Sequence, residues 1–119
     1  MALENLVWTF RTPCEPSKEI LDILLPGEEV IAAYKTIRDI AAITNCRFII
    51  RDAQGITGKK VEVYTIPFKS IVMWSSENAG TIDFNSEIEL WTRAGRLKIN
   101  LARGIDIRAV DKIIASHVL

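Results

Sequence analysis

Residues Thr81 to Trp91 read TIDFNSEIELW, and the way they are read decides the fold. Ile82, Phe84, Ile88 and Leu90 fall on even positions, with Asp83, Asn85, Glu87 and Glu89 on odd ones. A period of two gives an extended chain one apolar and one polar face, because successive side chains of a strand point to opposite sides. The next run repeats the pattern: Leu97, Ile99 and Leu101 alternate with Arg96, Lys98 and Asn100, and Ala94 with Gly95 supplies a tight turn between the runs. Pairing Leu90 with Leu97 or Ile99 gathers the apolar residues of this hairpin on one side. It also brings Lys98 opposite or diagonal to Glu89, so the charges on the outer side are complementary.

Working outward, the same grammar of short apolar runs and turn residues continues back to Val30. Strands are predicted near 29–38, 40–45, 46–52, 60–66, 70–77, 81–91 and 96–101. Their links are mostly shorter than the dozen or so residues a parallel crossover requires, so the expected sheet is antiparallel and largely a meander. Such a sheet, apolar on one face, has to curl upon itself or find a lid. The end of the chain, GIDIRAVDKIIASHVL, supplies the lid. Asp106 is suited to cap a helix, Ile105 to staple onto Val110, and Ile107, Val110, Ile113, Ile114 and Val118 form one oily side. Burying those aliphatic groups contributes on the order of 10 kcal/mol before entropy.

Ahead of the strands, LENLVWTF sets Leu3, Leu6, Val7 and Phe10 at the i, i+3, i+4, i+7 spacing of a short helix. A second short helix is expected in PSKEILDILLPGEE, capped by Ser17, stopped by Pro26 and Gly27, with Ile20, Leu21, Leu24 and Leu25 on its apolar side. Residues 1–27 are thus read as an N-terminal helical segment joined to a domain of residues 28–119, the whole making a single domain.

The 119 residues are 49% hydrophobic and 25% charged, the composition of an ordinary globular chain. Fifteen Lys and Arg balance fifteen Asp and Glu, so no net field draws the molecule toward nucleic acid. Cys14 and Cys46 stand far apart and His117 is the only histidine, so neither a metal site nor a disulfide framework is expected. No signal-peptide pattern opens the chain, and no apolar run approaches the ~20 residues that cross a bilayer, so a cytoplasmic protein is expected.

The stretch GITGKK, Gly55 to Lys60, carries two glycines and two lysines but not a phosphate-binding loop. Only Ile56 and Thr57 separate the glycines, Lys60 stands where magnesium would need a hydroxyl, and a valine-rich strand follows instead of a helix. It reads as a hairpin tip. A histidine-based triad would have to recruit His117 from the last helical turn. Glu87 and Glu89 form a pair by spacing alone, and their parity sends both outward. No catalytic residue, cofactor or metal is therefore expected. Trp91 is more informative, since the parity that turns Leu90 inward turns this indole outward, and exposed aromatics mark surfaces where proteins meet. Trp74, Trp8 and Phe10, with Lys59 and Lys60, complete the candidate interaction surface. The alternative is a peripheral membrane contact made by the 3–10 stripe with Lys59, Lys60 and Lys69.

Four stretches together, AYKTIRDIAAITNCRFII, DAQGITGKKVEVYTIPFKSI, ENAGTIDFNSEIELW and RGIDIRAVDKII, resemble the bacterial pleckstrin-homology-like domains, formerly a family of unknown function. The resemblance covers Glu28 to Leu119. It implies a seven-stranded, bent antiparallel barrel or sandwich capped by a C-terminal helix, and small proteins that assemble into ring-shaped homo-oligomers without enzymatic activity. Lipid-binding members of the wider fold carry basic residues in the loop between their first two strands. Here that loop is TIRDIAA, where Arg38 is expected to be cancelled by Asp39, so the lipid site does not carry over. Cys46 stands where the bacterial family commonly has a basic residue.

Overall fold

The computed structural model describes residues 6–54, 59–78 and 85–119. In chain order its strands are β1 (Val7–Phe10), β2 (Thr12–Pro13), β3 (Val30–Lys35), β4 (Ile40–Thr44), β5 (Arg47–Gln54), β6 (Lys60–Pro67), β7 (Ile71–Glu77), β8 (Ser86–Thr92) and β9 (Gly95–Leu101). Helix α1 (Lys18–Leu21) lies between β2 and β3, and α2 (Ile107–Val118) ends the chain. The predicted hairpin is β8–β9. Its register sets Leu90 opposite Leu97 and Ile88 opposite Ile99, all buried, with Glu89 opposite Lys98 on the outer side. Arg96 reaches Glu89 at 2.9 Å and Lys98 reaches Glu87 at 3.8 Å, so this outer face pairs its charges. Ile82 and Phe84 lie outside the described residues.

The strands form two sheets, one in the order β1-β9-β8-β7 and one in the order β2-β3-β4-β5-β6. Consecutive strands pair antiparallel within each sheet, but β6 and β7 do not pair, so the result is an open sandwich and not a closed barrel. The seven strands read from the sequence correspond to β3 through β9.

The N-terminal segment departs from expectation. Val7 to Phe10 is a strand, not a helix, and it runs parallel to β9, with Trp8 beside Ile99 and Phe10 beside Leu101. The residues themselves favour this: Leu6, Trp8 and Phe10 repeat every second position, and Val, Trp, Thr and Phe are all better strand than helix formers. After Arg11 the chain changes sheet, and Thr12 and Pro13 pair antiparallel with Lys35 and Tyr34 of β3. One extended segment therefore stitches the two sheets at this corner.

Ser17 caps α1 through its hydroxyl oxygen, which accepts from the Ile20 N–H, and Gly27 turns the chain away at φ 82°, where a side chain would be strained. This helix lies on the outer face of the five-stranded sheet. Ile20 meets Ala33, Ile40, Ala42 and Ile49 there, which leaves every residue of β4 buried. The main core lies between the sheets and beneath α2, whose Ile107, Val110 and Ile114 are buried in it. Asp106 caps α2 by accepting from the N–H groups of Arg108 and Ala109, as its position before the apolar repeat predicts.

Candidate functional site

The residues singled out as an interaction surface do not gather in one place. Phe10 is wholly buried, its ring stacked 5.1 Å from Tyr34, and Trp8 is 9% exposed and meets Tyr64 edge-on at 5.0 Å. Both belong to the core, because β1 inserts its even-numbered side chains between the sheets; neither is offered to a partner. Trp74 faces the inner side of β7, opposite Leu90, and its Nε1 donates to Asp111 Oδ1 on α2 at 2.7 Å. The Ser76 hydroxyl donates to Oδ2 of the same carboxylate at 3.1 Å, so these two residues latch the helix onto the sheet edge.

Trp91 does stand on the outer wall. Its cross-strand neighbours are Met73 on β7 and Arg96 on β9. The indole is half-buried, while Met73 is 52% exposed and Val72, bulged out of the β7–β8 register, is 65% exposed. This gives an apolar strip at the margin of the four-stranded sheet. Lys59 and Lys60 are exposed at the start of β6, on the other sheet. The glycines of the adjoining tip, Gly55 and Gly58, lie outside the described residues.

A cleft of about 400 Å³ opens between β1 and the β3–β4 turn, lined by Trp8, Thr36, Arg38, Arg51, Asp52 and Tyr64, among others. The turn is tight: Asp39 N–H donates to Thr36 Oγ1 at 3.0 Å and Thr36 N–H to the Asp39 carbonyl at 3.1 Å. Arg38 is paired, though not with its neighbour Asp39. It lies 3.6 Å from Asp52, while Asp39 takes Arg51 at 2.5 Å. The exchange of partners follows from strand register, which sets Ile40 of β4 opposite Arg51 of β5. Burial raises the Asp39 carboxyl above its ordinary pKa, more than the charge of Arg51 lowers it. Tyr64 donates to Glu62 at 2.8 Å, and that hydrogen bond raises the phenol pKa, with burial adding to it. The two arginines of the cleft each face a carboxylate.

A second polar cluster, which the sequence did not reveal, ties the segment after α1 to the β4–β5 turn. The side chain of Glu28 is 2% exposed and takes Arg47 in a fork: Nε to Oε2 at 2.7 Å and Nη2 to Oε1 at 2.9 Å. Thr44 Oγ1 donates to Oε2 at 2.7 Å, Cys46 Sγ lies 3.2 Å from the same oxygen, and the Leu25 N–H donates to Oε1 at 3.0 Å. The Arg47 guanidinium holds this carboxyl well below the usual carboxylate range against the opposing effect of burial, with Leu25, Thr44 and Cys46 assisting. Arg47 also donates to the Ile23 carbonyl at 2.9 Å and the Thr65 hydroxyl at 3.2 Å. With its donors and acceptors committed to the chain itself, the cluster acts as a clamp. Among the described residues no group of three or more His, Cys, Asp or Glu side chains is placed to hold a metal ion. No described helix is long and apolar enough to cross a membrane.

Comparison with known proteins matches residues 6–118 to a family described as Bacterial PH domain. The match takes in β1 and β2 and so begins well ahead of Glu28. The uncharacterized protein YjqA of Bacillus subtilis is 48% identical over 80 residues, which make up 67% of this chain and 64% of that protein. The alignment thus spans less than two thirds of YjqA. The crystal structure of a DUF1696 family protein with a pleckstrin-homology domain, from Shewanella loihica, is 34% identical and covers 91% of this chain and 97% of that one, with a TM-score of 0.82. A pleckstrin homology domain from Shewanella amazonensis is 42% identical, covers 85% of this chain and 83% of its own, and superposes with a TM-score of 0.66.

Proposed function

The chain belongs to the bacterial PH domain family, and from that premise we propose that it is a non-enzymatic module that assembles with copies of itself into a ring and serves as a protein-interaction scaffold. The observation that carries this reading is the outer strip of Val72, Met73 and Trp91. A half-covered indole flanked by two largely exposed apolar side chains is the kind of anchor that supplies most of the binding energy at a protein interface. Charge agrees with it, because fifteen cations against fifteen anions leave no net repulsion between copies. The cleft beside the β3–β4 turn offers a charged ligand little, since its arginines already face Asp52 and Asp39.

Membrane binding through the N-terminal stripe is the weaker reading. Val7–Phe10 of that stripe is a strand and Leu3 lies outside the described residues, while Phe10 and Trp8 are turned into the core. Gel filtration coupled to light scattering tests the proposal on the full chain at tens of micromolar. Wild type is expected at a multiple of the chain mass, and Met73→Asp, at a position 52% exposed, is expected to shift it toward the monomer. A cleanly monomeric wild type overturns the assembly reading, and flotation of the protein with anionic vesicles would revive the membrane one.

A further inference from the structure

The cleft between β1 and the β3–β4 turn holds one closed ion pair and one open one. Arg51 closes on Asp39 at 2.5 Å. Arg38 does not close on Asp52: its Nη1 stays 3.6 Å from Oδ1, beyond hydrogen-bonding range, and its side chain is 61% exposed. Oδ1 itself is buried and has no hydrogen-bond partner among the described residues. Asp52 shares the parity of Phe48 and Ile50 on β5, the two residues of that strand that enter the main core, so its carboxylate is drawn out of water. Glu62, opposite Asp52 on β6, is better served: its Oε1 accepts from Gln54 Nε2 and from the Tyr64 hydroxyl, each at 2.8 Å. A buried carboxylate oxygen without a donor is unfavourable, and an exposed guanidinium held this loosely contributes little. The pair is easily parted.

The walls beside it are apolar. Trp8 and Tyr64 meet edge-on at 5.0 Å, and Ile50, wholly buried, lines the same cleft. Its volume of about 400 Å³ lies within the roughly 300–1,000 Å³ of small-molecule sites, and it shares their make-up, an apolar wall with a few polar groups converging on one place.

We propose that this cleft binds a free α-amino acid with an apolar side chain. Its ammonium group donates to Asp52 Oδ1, its carboxylate accepts from Arg38, and its side chain lies against Trp8, Tyr64 and Ile50. The ammonium supplies the donor that Oδ1 lacks and that Arg38, at 3.6 Å, does not provide. A zwitterion parts the ion pair without leaving either charge alone, since it brings an opposite charge to each. A simple amine would set its charge beside Arg38 and offer that guanidinium no acceptor, and a simple acid would set its charge beside Asp52. The exposed Arg38 side chain has room to swing aside as the ligand enters. The site uses none of Val72, Met73 and Trp91, so it does not depend on assembly.

Isothermal titration calorimetry of the full chain at neutral pH tests this, with L-phenylalanine and L-leucine as probes. Both are expected to bind. Phenylalaninamide keeps only the ammonium group, as a peptide N-terminus does, and N-acetylphenylalanine keeps only the carboxylate. Each lacks one charge-assisted hydrogen bond and is expected to bind about tenfold more weakly than phenylalanine, or worse. Glycine, without a side chain to lie on the apolar wall, is expected to fall behind by a similar factor. Arg38→Gln and Asp52→Asn are each expected to weaken phenylalanine binding by about tenfold or more, and the first changes an exposed side chain that the fold does not need. Met73→Asp is expected to bind as wild type does. No binding of phenylalanine or leucine up to about 10 mM, equal binding of phenylalanine, its amide and its N-acetyl form, or wild-type affinity in either cleft variant overturns the site. A monomeric wild type that binds phenylalanine leaves it standing while the assembly reading falls.

Discussion

Glu28 shows how much one side chain can decide. It lies between α1 and β3, yet it holds the β4–β5 turn through Arg47, Thr44 and Cys46 and the segment that follows α1 through the Leu25 N–H. A carboxylate 2% exposed is tolerated because a bidentate guanidinium and further donors replace the water it loses. Replacing it by alanine leaves the partly buried Arg47 without its counter-charge, and urea unfolding at pH 7 should show a loss of about 1.5–3 kcal/mol. The pH dependence has a definite sign. The folded-state pKa lies below the ordinary glutamate value, so the stabilisation is fully present above about pH 4.3 and is lost as pH falls further toward the folded value. Wild type and Glu28→Gln should therefore differ most near neutrality and converge on acidification. A gap between them that stays constant down to pH 3 would show that the carboxylate charge is not the cause.

At the scale of elements, α2 is attached by more than its oily side. Ile107, Val110 and Ile114 bury themselves, but apolar contact alone does not fix how the helix sits along the sheet edge. Asp111 does so, accepting from Trp74 Nε1 at 2.7 Å and from the Ser76 hydroxyl at 3.1 Å, both on β7. Trp74→Phe keeps most of the ring and removes the donor to a charged acceptor, and should cost about 1.5–3 kcal/mol in urea unfolding. Combined with Asp111→Ala, the double variant should lose clearly less than the sum of the two single ones, since both remove the same bond. Strict additivity would place the indole's contribution elsewhere. β1 belongs to this scale too. Its inward Trp8 and Phe10 fill space between β9 and the opposite sheet, which is why aromatic residues that read as surface anchors are core.

For the molecule as a whole, the two sheets share a core on which β1, β2 and α2 all close, so they should unfold as one. All three tryptophans, Trp8, Trp74 and Trp91, lie in the four-stranded sheet, so their fluorescence reports that sheet, while far-ultraviolet circular dichroism reports both. The two urea transitions should coincide, and their midpoint should rise with protein concentration as assembly stabilises the folded chain. Separate transitions would mean that the five-stranded sheet, with its own small cluster around Ile20 and Ile49, folds independently.

The strands from β3 to β9 and the closing helix were legible in the chain itself, because β8, β9 and the helix announce their solvent-facing and core-facing sides by the spacing of their own residues and the other strands are short apolar runs bounded by turn residues. That is a local property, and Leu90 and Trp91 carry it whatever surrounds them. The family resemblance was legible in the same residues. The role of Val7 to Phe10 was read wrongly: so short a segment fits a helical stripe as well as a strand, and pairing beside β9 adds to the strand preference of Val, Trp, Thr and Phe. Nor could the sequence tell that Arg38 would take Asp52 in place of Asp39, or that Glu28 would meet Arg47. Those pairings depend on which segments the folded chain brings side by side, and distance along the sequence does not record it.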